Sequence, residues 1–143
     1  MTGRVKLATC SYAEFAPTMG APVRTTLGAG RRPLPYRLVG HARLITPTRT
    51  LLDLAHAGKK GLYRDMYEKR LVETGAVRIA AELTEIAQQV PGQRLVLLCF
   101  DQLGRGPGEW CHRTMFAAWW EEQTGEEVPE LGAVTPSPPP TLF

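Results

Sequence analysis

Acidic residues are absent between Phe15 and Leu52, where Arg24, Arg31, Arg32, Arg37, Arg43 and Arg49 stand unopposed. Basic residues are absent in turn from Trp119 to Phe143, a stretch that holds Glu121, Glu122, Glu126, Glu127 and Glu130. Cysteine is scarce. Three in 143 residues are too few, and odd in number, for the disulfide framework of a secreted domain. No apolar run approaches the roughly 18 residues a membrane-crossing helix needs, so no membrane partner is expected. The start, Met1 to Phe15, lacks the apolar core of a secretory signal. A cytoplasmic location is the expectation. No internal repeat is visible, and nothing fixes an oligomeric state.

What is present supports one domain. A hydrophobic share of 43% is ordinary for a chain with a real core. Residues 1–132 read as a single α/β unit, and the Pro-rich end, residues 133–143, as a flexible tail. The net charge of +3 is modest, but its segregation suggests an anionic partner for the early half, either a small molecule or a nucleic acid. The plainer account is internal, with the basic stretch neutralising the acidic end.

Along the chain, Val5–Cys10 reads as a first strand and Pro22–Thr26 as a second, whose proline can sit only at the strand's first position or at an edge. The segment from Leu27 to Pro47 is dense in Gly, Pro and Arg and reads as a long loop. Thr50, three residues before Asp53, suggests a capped helix that Gly58 ends. A second helix runs to Gly75, with Leu62 and Met66 at helical spacing. Ile79, Leu83, Ile86 and Val90 mark the apolar face of a third. Arg94–Phe100 is a continuous apolar strand of the buried kind, and a last helix opens at Cys111. The order predicts a small, mainly parallel sheet flanked by helices, a three-layer Rossmann-like domain.

In such sheets ligands gather beyond the carboxyl ends of the strands. Cys10 and Cys99 end strands, and Cys111 and His112 open the following helix, so all three cysteines are expected at one sheet edge. Arg113 in the first turn suits an anion held at a helix N-terminus. A thiol at Cys111, beside His112 and Arg113, is placed to ionise easily. His112 is the candidate acid or base. Cys99 and Cys111 are candidate nucleophiles, redox partners or pocket walls, and Asp101 a residue that orients His112 or carries a proton. Arg113, Arg24, Ser11 and Tyr67 are candidate substrate contacts.

Three competing patterns weaken on inspection. A zinc set of Cys10, Cys99, Cys111 and His112 has the right ligand types but no close cysteine pair, so no metal or cofactor is expected. Cys99 to Arg105 has the Cys-x5-Arg spacing of cysteine phosphatases. Asp101 inside that loop would repel phosphate, and Gly-Pro-Gly follows where a helix should begin. Phe116 and Trp120, four apart, read as core.

The run Leu97-Leu98-Cys99, with Asp101 two positions on, a variable loop, and then Cys111-His112-Arg113 opening a helix that carries Trp119, resembles the signature of the family called domain of unknown function 488. The likeness extends over residues 5–131, through a short first strand, a second strand at Pro22–Gly28 and a tyrosine-bearing helix at Tyr63–Leu71. Asp101 stands where that family usually has Glu, and the loop before Cys111 is longer. Members replace one or both cysteines while keeping the histidine, so the resemblance implies that His112 and the arginines carry more of the function than the thiols. It implies a fold and a site but no reaction.

The leading expectation is therefore a small enzyme acting on an anionic, nucleotide or nucleic-acid-linked substrate through a Cys-His-Arg site. The alternative is a non-enzymatic module that binds nucleic acid or protein through the arginines of residues 24–49. The third is a thiol redox or zinc protein.

Overall fold

Two five-residue strands, β1 (Leu7–Ser11) and β4 (Leu95–Cys99), are buried at every position. Strands hidden on both faces need no polar alternation, which is why each reads as an unbroken run of apolar and small residues. In this computed structural model, residues 5–28, 33–100 and 111–132 are described. The other elements are β2 (Ala21–Arg24), β3 (Gly40–His41), α1 (Arg49–His56), α2 (Lys60–Thr74), α3 (Ala76–Ala87) and α4 (His112–Thr124). Single 3-10 turns occupy Pro17–Met19 and Arg43–Ile45.

The sheet order is β1-β4-β2-β3 and every pairing is parallel. β4 is last in sequence but lies between β1 and β2. Its carboxyl end therefore emerges between theirs, and Cys99 aligns with Ser11. After α4 the chain returns to the free edge of β1. Thr9 N–H donates to the Pro129 carbonyl at 2.9 Å, and the Thr9 carbonyl accepts from Leu131 N–H at 2.7 Å. That bridge fixes Glu130 beside Thr9.

Alternation along the strands divides the core in two. Leu7, Val23, Leu95 and Leu97 pack with residues of α2, α3 and α4, including Tyr67, Leu83, Phe116 and Trp120. Ala8, Cys10, Val96 and Leu98 pack on the other face with Tyr12 and Phe15, covered by Met19, Leu34, Tyr36 and Leu38. The second covering layer is thus built of loop and 3-10 segments, held by a bond from the Tyr36 hydroxyl to the Tyr12 carbonyl at 2.6 Å.

The α/β class and the parallel sheet are as the sequence predicts; several local readings change. The Leu27–Pro47 stretch contains a third strand, with Val23 aligned to Gly40. It escaped notice because it is two residues long. Thr48, not Thr50, caps α1, its hydroxyl accepting from Leu51 N–H at 3.2 Å. Thr48 has the extended backbone that a cap requires, whereas Thr50 is already inside the helix. In α2 the buried face is Tyr63, Tyr67 and Leu71, while Leu62 and Met66 are exposed. Tyrosine wins because its ring fills core space while its hydroxyl finds a polar partner; Tyr67 donates to the Ile45 carbonyl at 2.6 Å. Phe116 and Trp120 are core, with ring centroids 5.4 Å apart.

Cys10 does not join the other cysteines. It aligns with Leu98, one position before Cys99, and so projects from the opposite sheet face. A one-residue offset on a strand reverses the side-chain direction. The expected convergence of all three cysteines therefore fails, and the four-ligand zinc set fails with it.

Gly20, between the 3-10 turn and β2, has φ +143°, and a Cβ there would lie 2.7 Å from the Arg94 carbonyl oxygen. Gly20→Ala is expected to lower stability by about 2 kcal/mol, the order of cost for such a backbone in a residue with a side chain. Urea denaturation checks this; an unchanged midpoint would show that the approach of Gly20 to β4 is not tight.

Candidate functional site

The carboxyl ends of β1, β4 and β2 and the start of α4 meet around two sulfurs. Cys99, the last residue of β4, and Cys111, the N-cap of α4, have their Sγ atoms 3.2 Å apart. Both are free thiols. Cys111 has extended backbone (φ −154°, ψ 177°), so the helix begins abruptly after it. Its N–H donates to the Thr114 hydroxyl at 3.3 Å, three residues on, the side chain–backbone half of a capping arrangement.

Arg113 points away from solvent and is 1% exposed. Its Nε donates to Glu130 Oε1 at 2.9 Å and its Nη2 to Oε2 at 2.8 Å. Its Nη1 donates to Cys99 Sγ at 2.9 Å. One guanidinium thus spans a carboxylate and a sulfur, using the planar fork that lysine lacks. Glu130 is held in turn by the Thr9 hydroxyl at 2.7 Å and by Gly132 N–H at 2.9 Å. Burial works against the Arg113 charge, but Glu130 and the two sulfurs outweigh it and keep the group firmly protonated. Removing either partner of so buried a pair typically costs about 3–5 kcal/mol, because a charge is left unpaired.

The sulfurs are driven apart in acidity. The Cys111 thiol is pulled below its ordinary value by the hydrogen bond from Cys99, against the opposing effect of burial. The Arg113 charge and the backbone N–H groups of Arg113 and Thr114 add to the same direction. Cys99 is pushed up by that same hydrogen bond and by burial. Either sulfur can donate across this contact; the two directions favour Cys99 as the donor and Cys111, at the positive end of α4, as the acceptor.

His112 is 7% exposed. Thr25 donates its hydroxyl proton to the Leu98 carbonyl at 2.7 Å. Its oxygen therefore accepts from His112 Nε2, 2.9 Å away, which leaves the lone pair on Nδ1. The Tyr67 ring meets the imidazole edge-on, with centroids 5.9 Å apart. Burial, with the Arg113 charge beside it, lowers the His112 pKa to about 4. That lowering, opposed in part by the Thr25 backbone, favours the uncharged ring.

A cavity of about 430 Å³ opens over the sulfurs. Cys99, Cys111 and His112 form its floor; Thr26, Tyr63 and Phe100 line it, with His56 and Lys60 among its basic residues. No described lining residue is Asp or Glu. Lys60 is also the first residue of α2, whose N-cap offers no side-chain cap, so a second helix begins at the cavity with amides unpaired by its own helix. Among the described residues, no group of three His, Cys, Asp or Glu side chains is placed to hold a metal ion, and no helix is long and apolar enough to cross a membrane.

The candidate residues fall into three groups. Cys99, Cys111 and His112 meet at the cavity, as the sequence suggests. Arg113, Arg24, Ser11 and Tyr67 do not line it. Arg113 faces Glu130. Arg24 donates to the Thr26 carbonyl at 2.7 Å and to the Leu27 carbonyl, bracing the cavity wall. Ser11 donates to Glu14 at 2.7 Å, and Tyr67 is fully buried. Each of the four makes these contacts within the protein, outside the cavity lining. Asp101, Arg105 and the rest of the 101–110 loop lie outside the described residues, as do Arg31, Arg32 and the 133–143 tail. Sequence reading missed Thr25 and Glu130, whose partners are 87 and 17 residues away, and Lys60. For Lys60, a helix starting with Lys at Gly58-Lys59-Lys60 was the available signal. Comparison with protein-family profiles, curated proteins and solved structures finds no match for this chain.

The lowered His112 pKa makes stability depend on pH. The unfolded imidazole takes up its proton near 6.5 while the folded one waits until about 4. The group's contribution is therefore complete above 6.5, is lost as pH falls from there to about 4, and is level below. Integrated, this is about 3 kcal/mol. Urea unfolding across that window should show the slope in the wild type and a flatter line in His112→Gln. Parallel lines for the two proteins would mean that His112 titrates normally in the fold.

Proposed function

We propose that this protein is an enzyme acting on a small anionic substrate, with the Cys111 thiolate as nucleophile. The observation that carries the reading is the position of Cys111: at the amino end of α4, on the floor of a cavity, with its sulfur 3.2 Å from the Cys99 thiol. A thiolate formed by a helix end, a neighbouring thiol and a nearby arginine needs no histidine to deprotonate it. Cys111 attacks, Cys99 holds and returns the shared proton, and Arg113 keeps the local potential positive without touching the substrate. His112, neutral, offers Nδ1 to a substrate N–H or O–H. Lys60, His56 and the free amides of α2 supply the attraction for the anion. Support for the anion comes from the lining, which carries two basic residues and no described acid.

The likeness of the Cys99 to Trp119 stretch to the domain of unknown function 488 signature is a further proposal, resting on those motif residues. It agrees with a site at this strand end. The nucleic-acid reading has less behind it, because Arg24 is tied to the Thr26 and Leu27 carbonyls.

Paired alkylation tests the proposal. Iodoacetate and iodoacetamide differ in charge at nearly the same size. Cys111 is expected to react first of the three cysteines, with an iodoacetate-to-iodoacetamide rate ratio several-fold above that of a free thiol in solution. Lys60→Gln should bring the ratio down. A ratio at or below that of the free thiol would remove the anionic substrate, and an unreactive Cys111 would remove the nucleophile.

A further inference from the structure

The second sulfur is closer than a nucleophile and its proton donor require. Cys99 and Cys111 are joined through a shared cavity wall, and their sulfurs are 3.2 Å apart. A disulfide bond is about 2 Å long, so a shift of about 1 Å would close it. Cys111 is an N-cap residue in extended conformation, whose carbonyl accepts the first bonds of α4 from Thr114 and Met115 N–H. Arg113 reaches Cys99 from the side opposite its carboxylate partner, with Nη1 at 2.9 Å from the sulfur. The third cysteine is segregated: Cys10 is 0% exposed and lies on the other face of the sheet.

We propose that Cys99 and Cys111 are a dithiol–disulfide couple that reduces small hydroperoxides entering the cavity, Cys111 being the attacking sulfur and Cys99 the resolving one. In the first step the Cys111 thiolate attacks the terminal oxygen of the hydroperoxide. The S–O bond forms, the O–O bond breaks, and the leaving alkoxide or hydroxide takes a proton from water. Cys111 is then a sulfenic acid. In the second step the Cys99 sulfur attacks the Cys111 sulfur. The S–S bond forms, the S–O bond breaks, and the departing hydroxide takes the Cys99 proton and leaves as water. Two thiols have been oxidised and one hydroperoxide reduced to an alcohol, or to water. An external thiol restores the pair by exchange.

The geometry assigns the two roles. Cys111 stands at the helix amides and so carries the negative charge before attack. Cys99 is beside the Arg113 guanidinium, which stabilises the charge that develops on its sulfur as it loses its proton. Arg113 is thus a positioning residue for resolution. The couple rests on the same Cys111 nucleophile as the reading above but needs no anionic substrate, so the two can be told apart.

The test starts from the fully reduced wild-type protein. An equimolar dose of hydrogen peroxide is followed by iodoacetamide, intact mass and peptide mapping. Before peroxide, three cysteines are alkylated under denaturing conditions. After it, the expected product is lighter by two hydrogens, is alkylated at Cys10 alone and yields a Cys99–Cys111 cross-linked peptide; dithiothreitol restores all three thiols. Cys99→Ser should stop at a Cys111 sulfenic acid that dimedone traps. The wild-type map requires no variant to fold. Three alkylated cysteines after peroxide would overturn the proposal, as would a wild-type sulfenic acid that persists without forming the cross-link. Either result leaves the iodoacetate preference untouched, so the two readings can fail apart.

Discussion

Arg113 is the group on which the site depends. A guanidinium 1% exposed cannot be left without partners, because a buried charge is tolerated only when paired and hydrogen-bonded. Glu130 supplies both oxygens, and it is there because the chain after α4 lies along β1 and bonds to Thr9. With two arms fixed on Glu130, the third nitrogen is aimed at Cys99. The C-terminal bridge, the edge of β1, the first turn of α4 and the end of β4 are thereby locked into one geometry.

That geometry separates charge from contact. The positive charge lies behind the sulfurs, and the cavity lies in front of them. In the proposed reaction a substrate meets Cys111, Cys99 and His112, and feels Arg113 only through the sulfurs. The fixed arginine cannot swing out to clamp a ligand, but its field is permanent and needs no reorganisation during reaction. Thr25 plays a similar part for His112. By donating its own proton to Leu98 it sets the imidazole tautomer.

The fold class was legible in the sequence because buried parallel strands are written as continuous apolar runs, at Leu7–Ser11 and Leu95–Cys99. The helix ends at Gly75 and Gly125, with φ +87° and +78°, were legible for a similar reason: glycine adopts such backbone freely. β3 was hidden in a Gly- and Arg-rich stretch, since two residues carry no period. Spacing puts Tyr63 and Tyr67 on one face of α2 but does not say that this face is the buried one, because hydropathy undervalues a ring whose hydroxyl is satisfied. Within the site, Cys99, Cys111 and His112 could be found from sequence because they flank one strand–loop–helix unit. Thr25 and Glu130 could not, because their proximity is a product of sheet order. Cys10 was misplaced by a single residue of register. The emphasis also shifts. The Cys-His-Arg triplet pointed to histidine and arginine as the chemical groups; burial lowers the His112 pKa and Arg113 is hydrogen-bonded to Glu130, which is why the proposed reaction is placed on the sulfurs.

The central claim is that one of the two site cysteines is a thiolate under ordinary conditions. Ultraviolet thiolate absorbance, titrated against pH in the wild type, Cys111→Ser and Cys99→Ser, measures this directly. The account predicts a wild-type thiol that ionises below the ordinary 9.0, absent in Cys111→Ser, and shifted upward in Cys99→Ser where the sulfhydryl donor is lost. A wild-type titration with every thiol at or above that ordinary value would contradict it.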